Sequence, residues 1–286
     1  MENIEECING LNSRDSKTRK HSYFKLVHEI GKQAIPALIN TMKSNKYPKN
    51  YLSRVWCTII NIGGPEAEEF FMNILRDNNN SYKIDAVAAL GEMKAKCAVP
   101  FLIESIQDKN FNIRLNSIVA LGLIADPAAV PYLRVVLKDS NPKILEIAIF
   151  SLIFIGDVDS IIFIRALLNH RLADVRMAAL AAMGHMGSKC DLQVLNRMVE
   201  CDRSGNIRDM VSTVVLAIES MERIPRKVKV ITILEITNRT AFDPHNEVFV
   251  KGEVEEVGHI LRVYARFEEA YNTEFGWVGQ EYVEII

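Results

Sequence analysis

The chain has 286 residues, enough for roughly two domains. At 49% apolar and 24% charged it is too hydrophobic and too balanced in charge to be a disordered chain. Thirty-four Lys and Arg against 36 Asp and Glu leave a net charge of −2, without the cationic excess that duplex binding by phosphate neutralisation requires, so the composition argues against a nucleic-acid partner.

The N-terminal stretch carries Glu2, Glu5 and Glu6 and has no apolar run of the signal-peptide kind. A weakly patterned pair of helices is expected over about 2–12 and 17–31. Ala34-Ile35-Pro36 then opens a more regular pattern, which slips by about two residues near Lys46 to Lys49. From there the chain repeats itself. Ala89-Leu90-Gly91 recurs as Ala120-Leu121-Gly122, and Ala98-Val99-Pro100 as Ala129-Val130-Pro131, both at an interval of 31 residues. Ile59, Leu90, Leu121, Leu152, Met183 and Val214 follow at the same interval, a run of large apolar residues that chance does not supply.

Each unit reads as two helices. The shorter first helices are predicted over 98–108, 129–138, 160–169 and 191–200. The second helices are predicted over 112–125, 142–156, 173–187 and 206–222. Pro100 and Pro131 fall in a first helical turn, where a missing N–H costs nothing. Asp108-Lys-Asn and Asp139-Ser-Asn-Pro supply turn chemistry between the helices. The expected architecture is an all-α solenoid of about seven antiparallel helix pairs over residues 1–222. The longest uncharged run, Met177 to Ser188, has twelve residues, against the about 18 of a spanning helix, so no membrane is expected. Cys7, Cys57, Cys97, Cys190 and Cys201 are scattered without a C-x-x-C pair, which reads as reduced thiols in a cytoplasmic protein.

The helical period ends near Met221 to Pro225. Val228 to Thr237 alternates and is rich in β-branched residues, and Val248–Val254, Ile260–Phe267 and Trp277–Ile285 are further strand candidates. Residues 226–286 are therefore expected to form a small all-β, barrel-like module.

Asp108…Ile113-Arg114…Ala120-Leu121-Gly122 and Asp174-Val175-Arg176…Ala179-Leu180 resemble HEAT repeats, most closely the short type named after phycobilisome (PBS) lyases. The fifth unit departs from the pattern, with Leu145 where the others have Arg114 and Arg176. The resemblance implies a right-handed superhelix whose second helices line the concave surface. Gly276-Trp277-Val278-Gly279-Gln280-Glu281-Tyr282-Val283-Glu284 resembles the closing strand of an SH3 domain. Gly279 replaces that family's proline and no aromatic-rich first loop precedes it, which argues against binding of proline-rich peptides.

Stacking the second helices column by column separates packing positions from the rest. The columns through Val55, Trp56, Ile59 and Ile62 stay small or apolar in every unit and are assigned to the core. Three other columns vary, reading Arg54, Cys57, Asn61; Asp85, Ala88, Glu92; Asn116, Val119, Leu123; Ile147, Phe150, Phe154; Ala178, Ala181, His185; Asp209, Ser212, Leu216. Its ends are polar and its middle is apolar. Val119, Leu123, Ile147, Phe150 and Phe154 are the candidate partner-binding residues, with His185 on the polar rim. A contiguous apolar patch of this kind marks either an interaction site or a surface that the C-terminal segment covers.

Sequences for phosphate loops (G-x-x-x-x-G-K-S/T), dinucleotide turns (G-x-G-x-x-G), zinc hydrolases (H-E-x-x-H) and serine elbows (G-x-S-x-G) do not occur. His28-Glu29 is the one His-Glu pair, whereas HEAT-like di-iron hydroxylases use several. Lys83, Arg114 and Arg176 share a column and read as ladder residues that bond neighbouring loops and carboxylates rather than as an anion site. No catalytic, cofactor-binding or metal-ligating residue is therefore expected. The expected function is a non-enzymatic adaptor that grips another protein on its concave face. The alternatives are a phycobilin-lyase-like or chaperone-like handler of a chromoprotein, suggested by the repeat type, and a HEAT-like nucleic-acid binder, which Asp85, Glu92 and Asp209 on the free face disfavour.

Overall fold

The computed structural model describes residues 4–44, 46–77 and 81–220, together with strand segments between 227 and 285. They belong to two compact units, Met1–Asp157 and Val158–Ile286.

The first unit pairs helices in succession: α1 (Ile4–Gly10) with α2 (Ser16–Phe24), α3 (Ile35–Lys43) with α4 (Lys49–Ile62), and α5 (Pro65–Arg76) with α6 (Lys83–Glu92). Then follow α7 (Val99–Ser105) with α8 (Phe111–Ile124) and α9 (Val130–Val136) with α10 (Pro142–Ile155). A π-helical turn, Lys25–Ile30, prolongs α2 as the expected helix over 17–31 requires. Turn chemistry recurs at the entrance to the long helices. The Asp108 carboxylate accepts from the Asn110 N–H at 2.8 Å, and Asn110 in turn caps α8 by accepting from the Asn112 N–H at 2.9 Å. Asp139, Asn141 and Lys143 repeat the arrangement at α10, with bonds of 2.7 and 2.9 Å. Prolines stand in the first turn of α3, α5, α7, α9 and α10.

Most of the core columns are where the repeat places them; in the column through Ile62 only Ile124 and Ile155 are buried, while Ile62, Met93, Met186 and Ala217 at its ends are half-buried. Ile59, Leu90, Leu121 and Leu152 are fully buried, as are Val55, Ala86, Ser117 and Ala148. Successive long helices approach closely because small residues meet there. A Cβ added at Gly91 would lie 2.8 Å from the Ala120 Cα, and one at Gly122 would lie 2.9 Å from the Ser151 Cα. The Ser151 hydroxyl donates to the Ile118 carbonyl at 2.9 Å, tying α10 to α8. At the start of the unit, the Tyr51 hydroxyl donates to the Ile8 carbonyl at 3.1 Å and Arg54 Nε to the Leu11 carbonyl at 2.7 Å, fastening the first pair to α4. At its end, Arg134 grips both carboxylate oxygens of Asp157 at 2.7–3.1 Å. Trp56 differs from its column. It is only half-buried, because an indole is too large to be enclosed where Val87, Ile118 and Ile149 are.

The second unit continues the pattern with α11 (Ile161–Ile164), α12 (Ala173–Met186), α13 (Leu192–Cys201) and α14 (Gly205–Ser220). Leu180, Met183, Val211 and Val214 are its buried column residues. Asp191 pairs with Arg165 and accepts the Ser188 N–H at 2.8 Å, which caps the turn before α13. Ala178 is 3% exposed and belongs to the core rather than to the free face, because a methyl group does not reach past its neighbours as Asp85 and Asp209 do.

Arginines recurring in the second helices make one bond in common, in four places. Arg19, Arg114, Arg176 and Arg208 each donate to the carbonyl six residues back, of Ser13, Asp108, His170 and Asp202, at 2.6–2.9 Å. That bond holds the interhelix loop onto its helix. In the fifth unit Leu145 takes the position and is buried instead.

Every described element up to Ser220 is helical. The later ones are strands: β1 (Lys227–Val230), β2 (Leu234–Glu235), β3 (Val254–Glu255), β4 (Ile260–Phe267), β5 (Ala270–Thr273), β6 (Gly276–Gly279) and β7 (Val283–Ile285). Five of them pair antiparallel in the order β6-β5-β4-β1-β7, and β2 pairs with β3. The expected junction at Met221–Pro225, most of the Val248–Val254 segment, and Tyr282 lie outside the described residues.

Candidate functional site

The five candidate partner-binding residues fall on α8 and α10. Val119, Ile147 and Phe150 are half-buried, while Leu123 is 37% and Phe154 66% exposed. Between and beside them on the same helices, Ile118, Ala120, Leu121, Ala148, Ile149 and Leu152 are buried. The two helices thus turn one apolar face inward and hold a second, also apolar, at the surface. Phe150 and Phe154 stand four residues apart, one helical turn, and lie on the same side of α10. His185 is exposed in the last turn of α12.

Sequence reasoning passed over a second set of apolar positions. On the first helices, Phe70, Phe101, Tyr132, Phe163 and Val194 recur at the 31-residue interval. Tyr132 is 47%, Phe163 44% and Val194 41% exposed. Arg76 lies over the Phe101 ring, 5.2 Å from its centroid. Phe70 joins Trp56 and Tyr82 in lining a cavity of about 670 Å3 that Pro36 and Ile39 of α3 complete. The rings of Trp56 and Phe70 are 6.3 Å apart and nearly edge-on, and those of Trp56 and Tyr82 are 6.0 Å apart. The interval was legible. Its meaning was not, because first-helix positions were read only for helix formation.

The second unit contains a pocket of about 660 Å3 between the loop entering α12 and the end of α13. Its wall includes Arg171, Arg176, Arg197 and Arg203. Arg176 donates to both carboxylate oxygens of Asp202, at 2.8 Å each, and that pair is largely buried. The guanidinium holds the Asp202 carboxyl below the usual carboxylate range.

The Cys97 thiol donates to a Glu68 carboxylate oxygen at 3.2 Å, and burial together with that carboxylate pushes its pKa to about 11. Burial and the nearby Glu92 raise Cys57 too. Both therefore remain thiols rather than nucleophilic thiolates at neutral pH. Among the described residues no three His, Cys, Asp or Glu side chains come together as a metal site, and no helix is long and apolar enough to cross a membrane.

Paired helices stacked through small and apolar columns, with a variable face left over, define a helical-repeat solenoid protein. The HEAT-repeat profile matches residues 68–153 and 134–213, together just over half of the chain, and the chain belongs to that family. Among solved structures it is similar to the complex of CpcE and CpcF of phycocyanin lyase from Nostoc sp. PCC7120, at 21% identity and a TM-score of 0.36 over 74% of this chain and 75% of that one. It is similar also to YibA of E. coli, at 17% identity and a TM-score of 0.47 over 77% and 93% of the two chains. A designed armadillo repeat protein in complex with the peptide (KR)4 is a third, at 15% identity and a TM-score of 0.39 over 63% and 98%. A search of curated proteins gives no significant match.

Proposed function

We propose that the chain is a non-enzymatic, cytoplasmic adaptor that binds another protein on the face made by Val119, Leu123, Ile147, Phe150 and Phe154. The observation that carries this reading is Phe154, a phenylalanine 66% exposed on a helix whose opposite side is fully buried. Leaving large apolar side chains in water forgoes about 1.5–3 kcal/mol each, a cost that a buried interface recovers. Apolar anchors with polar positions such as Asn116 and Glu92 in the same columns suit an interface core inside a polar rim. The repeats are of the PBS-lyase type. Residues 226–286 form a separate, SH3-like β module, and the antiparallel pairing of β4, β5 and β6 supports that reading.

A photo-crosslinking phenylalanine analogue placed at position 154 in the full chain tests the proposal. The expected product is a covalent adduct with a second polypeptide, absent when the analogue replaces Lys138 on an exposed turn. An adduct formed only within the chain, to residues of 226–286, would overturn it.

A further inference from the structure

The arginine-lined pocket of the second unit has more positive charge than its own packing uses. Arg176 is fully engaged: besides Asp202, it donates to the carbonyls of His170 at 2.9 Å and Arg171 at 3.3 Å. Asp202 is the acid in the lining, and its carboxylate is committed to Arg176 and to the Ser204 N–H at 2.9 Å. Arg171, Arg197 and Arg203 are exposed, and none has a carboxylate within ion-pair distance among the described residues. Three guanidinium groups without a carboxylate partner among the described residues thus border one cavity in a chain whose net charge is −2.

The repeat accounts for Arg171 and Arg203 and not for Arg197. At the 31-residue interval, Arg197 corresponds to Asn73, Glu104, Val135 and Ala166, and Arg171 to Lys109 and Ser140. Arg203 holds the same place as Arg171 and Lys109, one residue past the carbonyls of Asp202, His170 and Asp108 that the loop-holding arginines bond. The loop-holding arginines recur because the fold needs them. Arg197 is peculiar to this place, where two interhelix loops and the end of α13 set it beside Arg171 and Arg203.

We infer that this pocket binds a phosphoryl group carried by a partner polypeptide. Guanidinium forks match phosphate oxygens two at a time, and a phosphate monoester presents nearly two negative charges and three acceptor oxygens to a site with three unpaired cations. A side-chain carboxylate offers one charge and two oxygens, which leaves part of the site unmatched. The pocket exceeds the size of a phosphate, and Leu168, Val194 and Met198 provide apolar wall for the residues beside it. Its lining contains no Phe, Tyr or Trp on which a base could stack, which favours a peptide over a nucleic acid. The site is separate from the apolar face of α8 and α10 and does not depend on it.

The test uses the full chain and three probes at one ionic strength: inorganic phosphate, a degenerate phosphoserine peptide pool with its unphosphorylated counterpart, and a single-stranded oligonucleotide. Inorganic phosphate is expected to raise the melting temperature above that in chloride. Fluorescence polarisation is expected to show at least a tenfold preference for the phosphorylated pool. Arg197→Ala with Arg203→Ala should abolish both effects while leaving the circular dichroism unchanged, since neither side chain has a described partner to lose. Phe154→Ala should leave both intact. Equal binding of the two peptide pools, a phosphate effect without peptide preference, persistence of the preference in the double variant, or tighter binding of the oligonucleotide would each overturn the inference.

Discussion

Leu152 and Phe154 lie two residues apart on α10 and should respond to truncation in opposite ways. Leu152 is fully buried, so Leu152→Ala removes its transfer free energy and leaves a cavity, a loss of about 2–5 kcal/mol. Phe154 is 66% exposed. Full burial of such a side chain contributes about 1.5–3 kcal/mol, and with roughly a third of it covered the share is about 0.5–1 kcal/mol. Alanine returns a few tenths of a kcal/mol, about 0.5 at most, as the better helix former. Phe154→Ala should therefore cost about 0.5 kcal/mol. Urea unfolding of the wild type and the two variants, followed by far-UV circular dichroism, measures both shifts under identical conditions. A loss of 2 kcal/mol or more in Phe154→Ala would mean that the ring is covered core and would refute the assignment of this face.

The two buried serines should differ in sign. Ser117 Oγ is buried without a hydrogen-bond partner, so Ser117→Ala should stabilise the chain by about 1 kcal/mol, whereas Ser151→Ala, which deletes the bond to the Ile118 carbonyl, should destabilise it by a similar amount. Thermal melts of the two variants check this. Arg176 depresses the Asp202 pKa in the folded state, so the pair's contribution is present above the ordinary Asp value of about 3.9 and is lost as pH falls through the lower folded value. Asp202→Asn should then melt below the wild type at neutral pH, with the gap closing in acid; a gap constant with pH would contradict this. A chain ending at Glu222 should keep nearly all of the helical circular dichroism, because every described helix ends by Ser220. Loss of most of that signal would make the β segment integral to the helical repeats.

Positions that repeat were easy to read, and positions that depart from the repeat were not. Leu90, Leu121 and Leu152 are buried because each occupies the same place in a stack, and the 31-residue interval carries that information directly. Gly91 and Gly122 recur at the same interval, yet their role as points of close approach depends on Ala120 and Ser151 of the next helix, which no pattern within one helix discloses. Ser117 stands in the column of Ala86 and Ala148 and Ser151 in that of Ala89 and Ala120, and neither column discloses that a carbonyl lies within reach of Ser151. The ladder role expected of Lys83, Arg114 and Arg176 holds in both parts: Arg114 and Arg176 bond the carbonyl six residues back, and Arg176 and Lys83 reach the carboxylates of Asp202 and Asp108. The pocket beside Arg176 was hidden. Its cations come from Arg171, Arg197 and Arg203, in separate segments; an interval of 32 between His170 and Asp202 takes Arg203 out of the 31-residue register with Arg171, and Arg197 stands in a column that otherwise lacks a cation.

The central claim is that one face of α8 and α10 contributes to binding and not to folding. The most direct measurement is the calorimetric affinity of the polypeptide captured at position 154, purified and titrated into the wild type and into Phe154→Ala. An exposed aromatic anchor at an interface centre is worth about 2 kcal/mol, so the affinity should fall roughly 30-fold while the melting temperature barely changes. An affinity equal to that of the wild type would contradict the claim.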